Sequence, residues 1–416
     1  MSRVDTIVIG GGIVGLSCAY FLSLRGQKVL LIERDTFDTG ASVGNAGLVA
    51  FGHAPMPRPG AIRQSFKMFL DPLNPLYVKP RLDLSMLRWF LDFKKACDPE
   101  PFARSMKILS ELGFEAKQCF EQIVSNEMVN GEYRKTGWID LCLSEERLEQ
   151  AFEEADLVSS HGYKVDKLTG DEIRANDPSI LDEIVGGTHY TQSVILDPGR
   201  FTTEFAACLR DRGVRTRTQI DIKKILTKDG KVVGVRTAGA ETLEADNVVL
   251  AAGIWSTKLA QTVGLNLPMQ AGKGYHVNLS APNPLPRFGY VCAEAFVAAT
   301  PMNGNLRLAG TIEFSGINDT MNTRRLNMLQ AGARKYFKGI GTCQSLSTWN
   351  GLRPCTADGL PIVGESSQVQ GLFVATGHAM MGFTLGPVTG KLISECIVDG
   401  KPSMDISALS PDRYTP

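Results

Sequence analysis

Gly10, Gly12 and Gly15 form a G-x-G-x-x-G run directly after the apolar, β-branched stretch Thr6 to Ile9, and a helix-compatible apolar stretch from Leu16 to Leu24 follows them. In such a run each glycine has its own task. Gly10 permits a tight turn, Gly12 lets the backbone approach a pyrophosphate, and Gly15 lets helix and strand pack closely. Ile13 and Val14 share the turn, where the free N–H groups of a helix N-terminus attract an anion. A second apolar strand, Gln27 to Ile32, ends on Glu33 with Arg34 after it. A carboxylate there accepts hydrogen bonds from ribose hydroxyls and repels a 2′-phosphate, so the pattern predicts an adenosine dinucleotide other than NADP.

Three later segments favour a flavin over a nicotinamide. Residues 34–48 read RDTFDTGASVGNAGL, a small-residue loop in which Ser42, Asn45, Ala46, Gly47 and Leu48 can bring backbone and short polar groups against a second part of the ligand. From Asp221 to Gly253 the chain reads as a β-meander entered at Ile222, with Lys228-Asp229-Gly230 as a hairpin turn. It closes on Ala252, Gly253 and Trp255, where tiny side chains at a strand end imply a close backbone approach. Gly371 to Ala375 is a buried-strand pattern, followed by Gly377, His378, Gly382, Phe383 and Thr384 and then a helix to about Val398. A helix N-terminus at the N1/O2 edge of a flavin would stabilise the negative charge that appears on reduction. The expected cofactor is FAD, held non-covalently.

The segments GGGIVG, SVGNAG, VVLAAG, WNGLRPCTADGLPIVG and GLFVATGHAMMGFTLGP together resemble the FAD-dependent amine and amino-acid oxidoreductases, a group that includes D-amino-acid dehydrogenase, glycine oxidase and sarcosine oxidase. Asn45-Ala46-Gly47, Pro55 to Gly60, Lys273-Gly274-Tyr275 and Thr300 to Phe314 look most like the D-amino-acid dehydrogenases. Asp197 to Phe201 looks more like the glycine and sarcosine oxidases, and His378 to Thr384 departs from the shorter Gly-Trp form of the dehydrogenases.

The resemblance implies oxidative deamination of a D-amino acid, or of a cyclic or N-substituted one such as proline or hydroxyproline. Hydride passes from Cα to the flavin N5, and the imino acid hydrolyses to a keto acid and ammonia. The partners are then the amino acid and an electron acceptor: a quinone, an electron carrier or oxygen. An oxygen-using amine oxidase, a 2-hydroxy-acid oxidoreductase and the flavin subunit of a multi-component amine dehydrogenase stand as alternatives. Hydride transfer needs the substrate carboxylate anchored, which suits the fork of an arginine. Arg353 in Gly351-Leu352-Arg353-Pro354 is the expected anchor, as the resemblance also implies; the alternative is an ion pair with Asp358 or Glu365. Arg307 is a second candidate, and Tyr275 can donate to the same carboxylate. His378 has the residue type of a general base, but its place in the flavin loop favours contact with the cofactor. Cys355 does not sit where the sarcosine oxidases carry their linking cysteine.

These residues need a scaffold of two kinds. The resemblance implies a Rossmann-like α/β FAD-binding domain in separated pieces (1–58, 146–255 and 345–416), with an inserted α+β substrate domain (59–145 and 256–344) built on an antiparallel sheet. The patterns agree: the chain turns helical after about Gly60, with helical spacing in Leu84 to Phe93 and Met106 to Ile123. Gly137 to Leu143 reads as a strand, and short alternating segments run from Lys273 to Thr311.

The composition of the 416 residues, 43% hydrophobic and balanced between 44 basic and 44 acidic side chains, is that of a globular protein with no field to gather nucleic acid. The nine cysteines show neither CxxC pairs nor metal-ligand spacing, so idle thiols and no metal are expected, in a cytoplasmic setting. Met86, Trp89, Phe90 and Phe93, flanked by Arg88, Lys94 and Lys95, form either a face that rests on the inner surface of a membrane or the buried side of a substrate-domain helix.

Overall fold

The computed structural model describes residues 3–61, 71 and 74–414. The helical turn expected just after Gly60 falls largely on 62–70, outside the described residues.

Two sheets share the chain. The first has a parallel centre in which Val4–Ile9 lies between Val29–Ile32 and Thr242–Leu250. Arg215–Arg217 and Leu372–Thr376 extend it in parallel on the two sides. The fully buried pattern of Val29–Ile32 and Leu372–Thr376 is what a parallel sheet covered on both faces requires. The meander appears as Ile222–Lys228, Lys231–Thr237 and Thr242–Leu250, antiparallel, with Asp229 and Gly230 at positive φ in the turn.

The helices Ile13–Leu24 and Gly382–Asp399 cross on this sheet at unusually close range. A Cβ at Gly390 would lie 2.4 Å from the carbonyl carbon of Ser17, and one at Gly386 would lie 3.1 Å from Ile13. Two glycines one turn apart therefore let the backbones touch, so both helices begin beside the same cavity.

The second sheet has nine strands. Its order runs Ser345–Cys355, Gln270–Leu279, Asn305–Phe314, Val297–Met302, Gly289–Cys292, Trp138–Cys142, Gly186–Tyr190 and Val165–Thr169, with Leu76–Val78 beside Asn305–Phe314. Strand alternation separates its faces: Ile139, Leu141, Tyr275 and Tyr290 pack into a core with Leu326 and Leu329 of the helix Thr323–Ala333, whereas Trp138 and Asp140 turn to the cavity.

This topology moves the expected domain boundaries. The stretch 146–190, placed with the dinucleotide domain by sequence, carries two strands of the nine-stranded sheet, and Ser345–Cys355 is a third. The half-exposed VDKLT strand has no apolar alternation to announce it, and its place is fixed by pairing with Gly186–Tyr190.

The face formed by Met86, Trp89, Phe90 and Phe93 packs against the rest of the chain. Met86 and Trp89 are buried with Phe314, Cys355 and Ala357, and the Trp89 indole donates to the Cys355 carbonyl at 2.9 Å. The helix Leu84–Ala96 thus turns that side inward and leaves Leu84, Leu87 and Leu91 outside. Among the described residues no helix is long and apolar enough to cross a membrane.

Candidate active site

A cavity of about 910 Å³ runs between the two sheets, from the glycine turn at one end to the strand Trp138–Cys142 at the other.

At the nucleotide end Gly10 has φ +110, and a Cβ there would lie 2.4 Å from the Ala251 carbonyl oxygen. A Cβ at Gly15 would sit 1.8 Å from the Gly10 oxygen, so Gly15 serves packing and does not face the cavity. Glu33 accepts from the Gly11 amide at 2.6 Å and from Asp35 at 2.9 Å, which fixes its carboxylate at the cavity wall. Arg34 lies over the Trp255 ring at 4.3 Å, and both line the cavity with Ile222, Ala252 and Gly253. Gly10, Gly12, Ile13, Val14 and Ser42 line the same end, with Ser42 Oγ accepting from the Ile13 amide at 3.0 Å. The two converging helix N-termini, the bare glycine turn and the fixed carboxylate make a cradle that fits the diphosphate and ribose of a dinucleotide.

The loop after Glu33 is held by the nine-stranded sheet. Arg307, only 7% exposed, donates to Asn278 Oδ1 at 2.9 Å and to the carbonyls of Val43 and Asn45 at 3.1 and 2.8 Å. His276 Nδ1 lies 3.1 Å from the Gly44 carbonyl and, in that geometry, donates to it. Burial, reinforced by the Arg307 charge, lowers the His276 pKa to about 3, so the ring stays neutral. Trp349 stacks on His276 at 5.2 Å and lies against both Gly44 and Gly351, where a Cβ would come within 2.2 and 2.1 Å of the indole. Asn45 Oδ1 caps Gly47, whose φ of +83 places it against Leu196 behind the cavity; Ala46 and Leu48 line it. Arg307 was expected as a carboxylate anchor. Its guanidinium is instead engaged by three acceptors, and the residue does not line the cavity.

Arg353 does line it. The side chain crosses Gly274, where a Cβ would come within 2.3 Å of the guanidinium, and Nη1 donates to the Thr311 carbonyl at 3.0 Å. Thr311 is left-handed (φ +60), at the bulge where the register between Gln270–Leu279 and Asn305–Phe314 slips. The bulge aims the carbonyl at the arginine. Thr311 Oγ1 is buried, lines the cavity and has no hydrogen-bond partner among the described residues. An ion pair with Asp358 or Glu365 does not form: Asp358 pairs with Arg413 at 3.1 Å, and Glu365 accepts from Gly371.

Tyr275, expected beside the same carboxylate, points the other way. Its hydroxyl donates to Glu313 at 2.9 Å in the core beneath the sheet, because it differs by one position from Gly274 and His276 and so faces the opposite side.

His378, Gly382, Phe383 and Thr384 line the cavity, while Gly377, at φ +79, makes the turn behind them. His378 Nε2 contacts Thr389 Oγ1 at 2.8 Å, and burial lowers its pKa to about 3, so the ring is uncharged near neutral pH. Cys355 is buried outside the cavity lining. None of the nine cysteines is in a disulfide, and among the described residues no group of His, Cys, Asp or Glu could hold a metal ion.

Sequence reading missed the far end of the cavity, where Trp138, Asp140, Arg58, Arg147 and Glu154 converge. The one signal was the alternation in Trp138-Ile139-Asp140, which puts a carboxylate on the same side as a tryptophan.

The sequence pattern of the family described as FAD dependent oxidoreductase matches residues 5–396. A D-amino acid dehydrogenase of Cereibacter sphaeroides (strain ATCC 17029) is 29% identical over 420 residues, covering 98% of this chain and 95% of that protein. Among solved structures, glycine oxidase from Geobacillus kaustophilus superimposes with a TM-score of 0.81 at 22% identity, covering 100% of both chains. L-proline dehydrogenase from P. horikoshii does so with a TM-score of 0.79 at 17% identity, covering 99% of this chain and 98% of that one.

Proposed function

The chain belongs to the FAD-dependent oxidoreductase family, and from that premise we propose that it oxidatively deaminates an amino acid of the D series, or a cyclic or N-substituted one. The observation that carries the reading is the Arg353 guanidinium, open to the cavity and held by a single backbone acceptor above a glycine. The name of the Cereibacter relative supports the D-amino-acid assignment.

Gly10, Gly12, Glu33, Ser42 and the N-termini of Ile13–Leu24 and Gly382–Asp399 would hold FAD. When bound, FAD supplies the acceptor for the hydride that leaves Cα. The rest is positioning. Arg353 takes the carboxylate through its two-pronged fork, with the Thr311 carbonyl fixing the plane of the guanidinium. Burial depresses the Arg353 pKa from its ordinary value but leaves it a cation at any working pH. Burial leaves His378 neutral and weakly basic, and a substrate amine arriving neutral provides the push from its own lone pair. The imino acid then takes up water to give a keto acid and ammonia. Cys355, outside the cavity lining, supports a non-covalent cofactor, which acid precipitation would release into the supernatant.

The test is anaerobic mixing of the holoenzyme with D-amino acids, L-proline, hydroxyproline isomers, glycine and sarcosine, watching the flavin band at about 450 nm. Bleaching by one stereochemical class, with ammonia or a cyclic imine as product, is expected. Yellow protein that no amine bleaches would overturn the reading. Comparing peroxide formation with dye reduction then identifies the electron acceptor.

A further inference from the structure

Beside Arg353 the cavity wall carries a hydroxyl with nothing to bond. Among the described residues, two that line the cavity keep a buried side-chain polar atom without a partner: Trp138 at the far end and Thr311 next to the arginine. Thr311 is only 6% exposed, and its hydroxyl is shut off from bulk water. A buried hydroxyl in that position has given up its bonds to water and gained none, so the fold is the less stable for it until another molecule completes it.

The backbone of the same residue is unusual for its type. Thr311 has φ +60, and among the described residues it is the one β-branched residue in the left-handed region, where a branched Cβ crowds the chain. Its neighbours hold it there. Gly310 is paired with Tyr275 and Val297, and Ile312 is paired with Leu76 and donates its amide to the Pro75 carbonyl at 2.7 Å. Glycine or asparagine would take this conformation with less strain, so the bulge alone gives no reason for a threonine. What threonine adds is a side chain with a hydroxyl. Backbone strain and an unbonded polar group in one residue, at the wall of a cavity, mark a binding position.

What the hydroxyl bonds follows from its neighbour. The Thr311 carbonyl accepts from Arg353 Nη1 at 3.0 Å, and covalent geometry keeps the hydroxyl of the same residue within about 5 Å of that carbonyl oxygen. Guanidinium and hydroxyl therefore stand over one bound group. A carboxylate in the arginine fork uses one lone pair on each oxygen and keeps a second, which an adjacent O–H can reach. The lone pair of the substrate amine, by contrast, must stay free to drive hydride loss. We propose that Thr311 is a substrate-binding residue whose hydroxyl donates to the amino-acid carboxylate alongside Arg353. It supplies the hydroxyl that Tyr275, bonded to Glu313 in the core, does not. The inference rests on the amino-acid reading above and adds a second donor to that site.

The experiment measures anaerobic flavin reduction by the reactive amino acid in wild-type holoenzyme and in Thr311→Val and Thr311→Ser. Valine keeps the branched Cβ and removes the hydroxyl, whereas serine keeps the hydroxyl. Thr311→Val should raise the apparent Kd roughly five- to thirtyfold, with the limiting reduction rate changed by less than about threefold and FAD absorbance retained; Thr311→Ser should stay within about threefold of wild type. Two competitive ligands with the same side chain then separate the ends of the substrate. The carboxylic acid that lacks the amine should weaken in Thr311→Val by the same factor, and the amine that lacks the carboxylate should bind unchanged. If Thr311→Val does not hold FAD, Thr311→Ala against Thr311→Ser makes the same comparison. An apparent Kd that ignores the hydroxyl, a loss that serine does not restore, or a loss confined to the amine would overturn this inference and leave the proposed function standing. Failure of every amino acid to bleach the flavin would overturn both.

Discussion

Arg353 and Arg307 stand on the same nine-stranded sheet and reach toward the same side of it, yet their surroundings give them opposite work. Arg307 is tied by three acceptors, two of them carbonyls of the loop that follows Glu33. Arg353 has a single carbonyl acceptor and keeps the rest of its fork toward the cavity. A guanidinium tied down by several acceptors is a clamp, and one left facing a cavity is a binding site. The number of acceptors around the group, rather than its residue type, separates the two ends of this machinery.

The sharpest way to break that contrast is Arg353→Ala. It should lower kcat/KM for the amino acid by roughly a hundredfold or more, since a charge-assisted bidentate pair contributes about 2–5 kcal/mol, and it should leave FAD content near wild type. Steady-state kinetics beside the absorbance ratio would check this, and loss of FAD with activity would contradict it. Arg307→Met should do the reverse. Three hydrogen bonds at about 1 kcal/mol each go, so thermal stability and FAD retention should fall by roughly 2–3 kcal/mol, with KM little changed in the molecules that keep the cofactor. Tyr275→Phe tests the side chain that faces away: removing its bond to Glu313 should cost about 1 kcal/mol in denaturant unfolding and leave substrate kinetics alone. A raised KM would put the tyrosine back in the site.

A separate effect concerns pH. The Asp140 pKa is higher folded than unfolded, so its contribution to stability is complete below the ordinary carboxylate range and is lost as pH rises through about 8. Asp140→Asn removes that loss. The melting temperature of the variant relative to wild type should therefore climb between pH 5 and pH 9, and parallel curves would show that the carboxyl is not held protonated.

Much of the nucleotide side was legible because it is made of backbone. Gly10, Gly12 and Gly15 act through the absence of a Cβ, and Glu33 acts from the end of a strand that its own residues specify, so neighbours in sequence carry nearly all the information. The helices Leu84–Ala96 and Pro99–Asn126 and the meander were legible for the same reason, being set by local periodicity and turn chemistry. The inward turn of Met86 and Trp89 was not, because periodicity marks an apolar stripe without saying what covers it.

On the sheet side the sequence by itself determined which side chains could bind a carboxylate: two arginines and a tyrosine on strands with recognisable patterns. Tertiary structure alone decided among them. Tyr275 faces the core because strand alternation separates it from Gly274 by one position. Arg307 is tied because a loop from residues 43–45 crosses it, and Arg353 is aimed by a bulge on a neighbouring strand. Asp140 is buried in the same way, by strands far away in sequence. Side-chain direction in a sheet depends on register, and register is a property of the partner strands, which no single stretch of sequence contains.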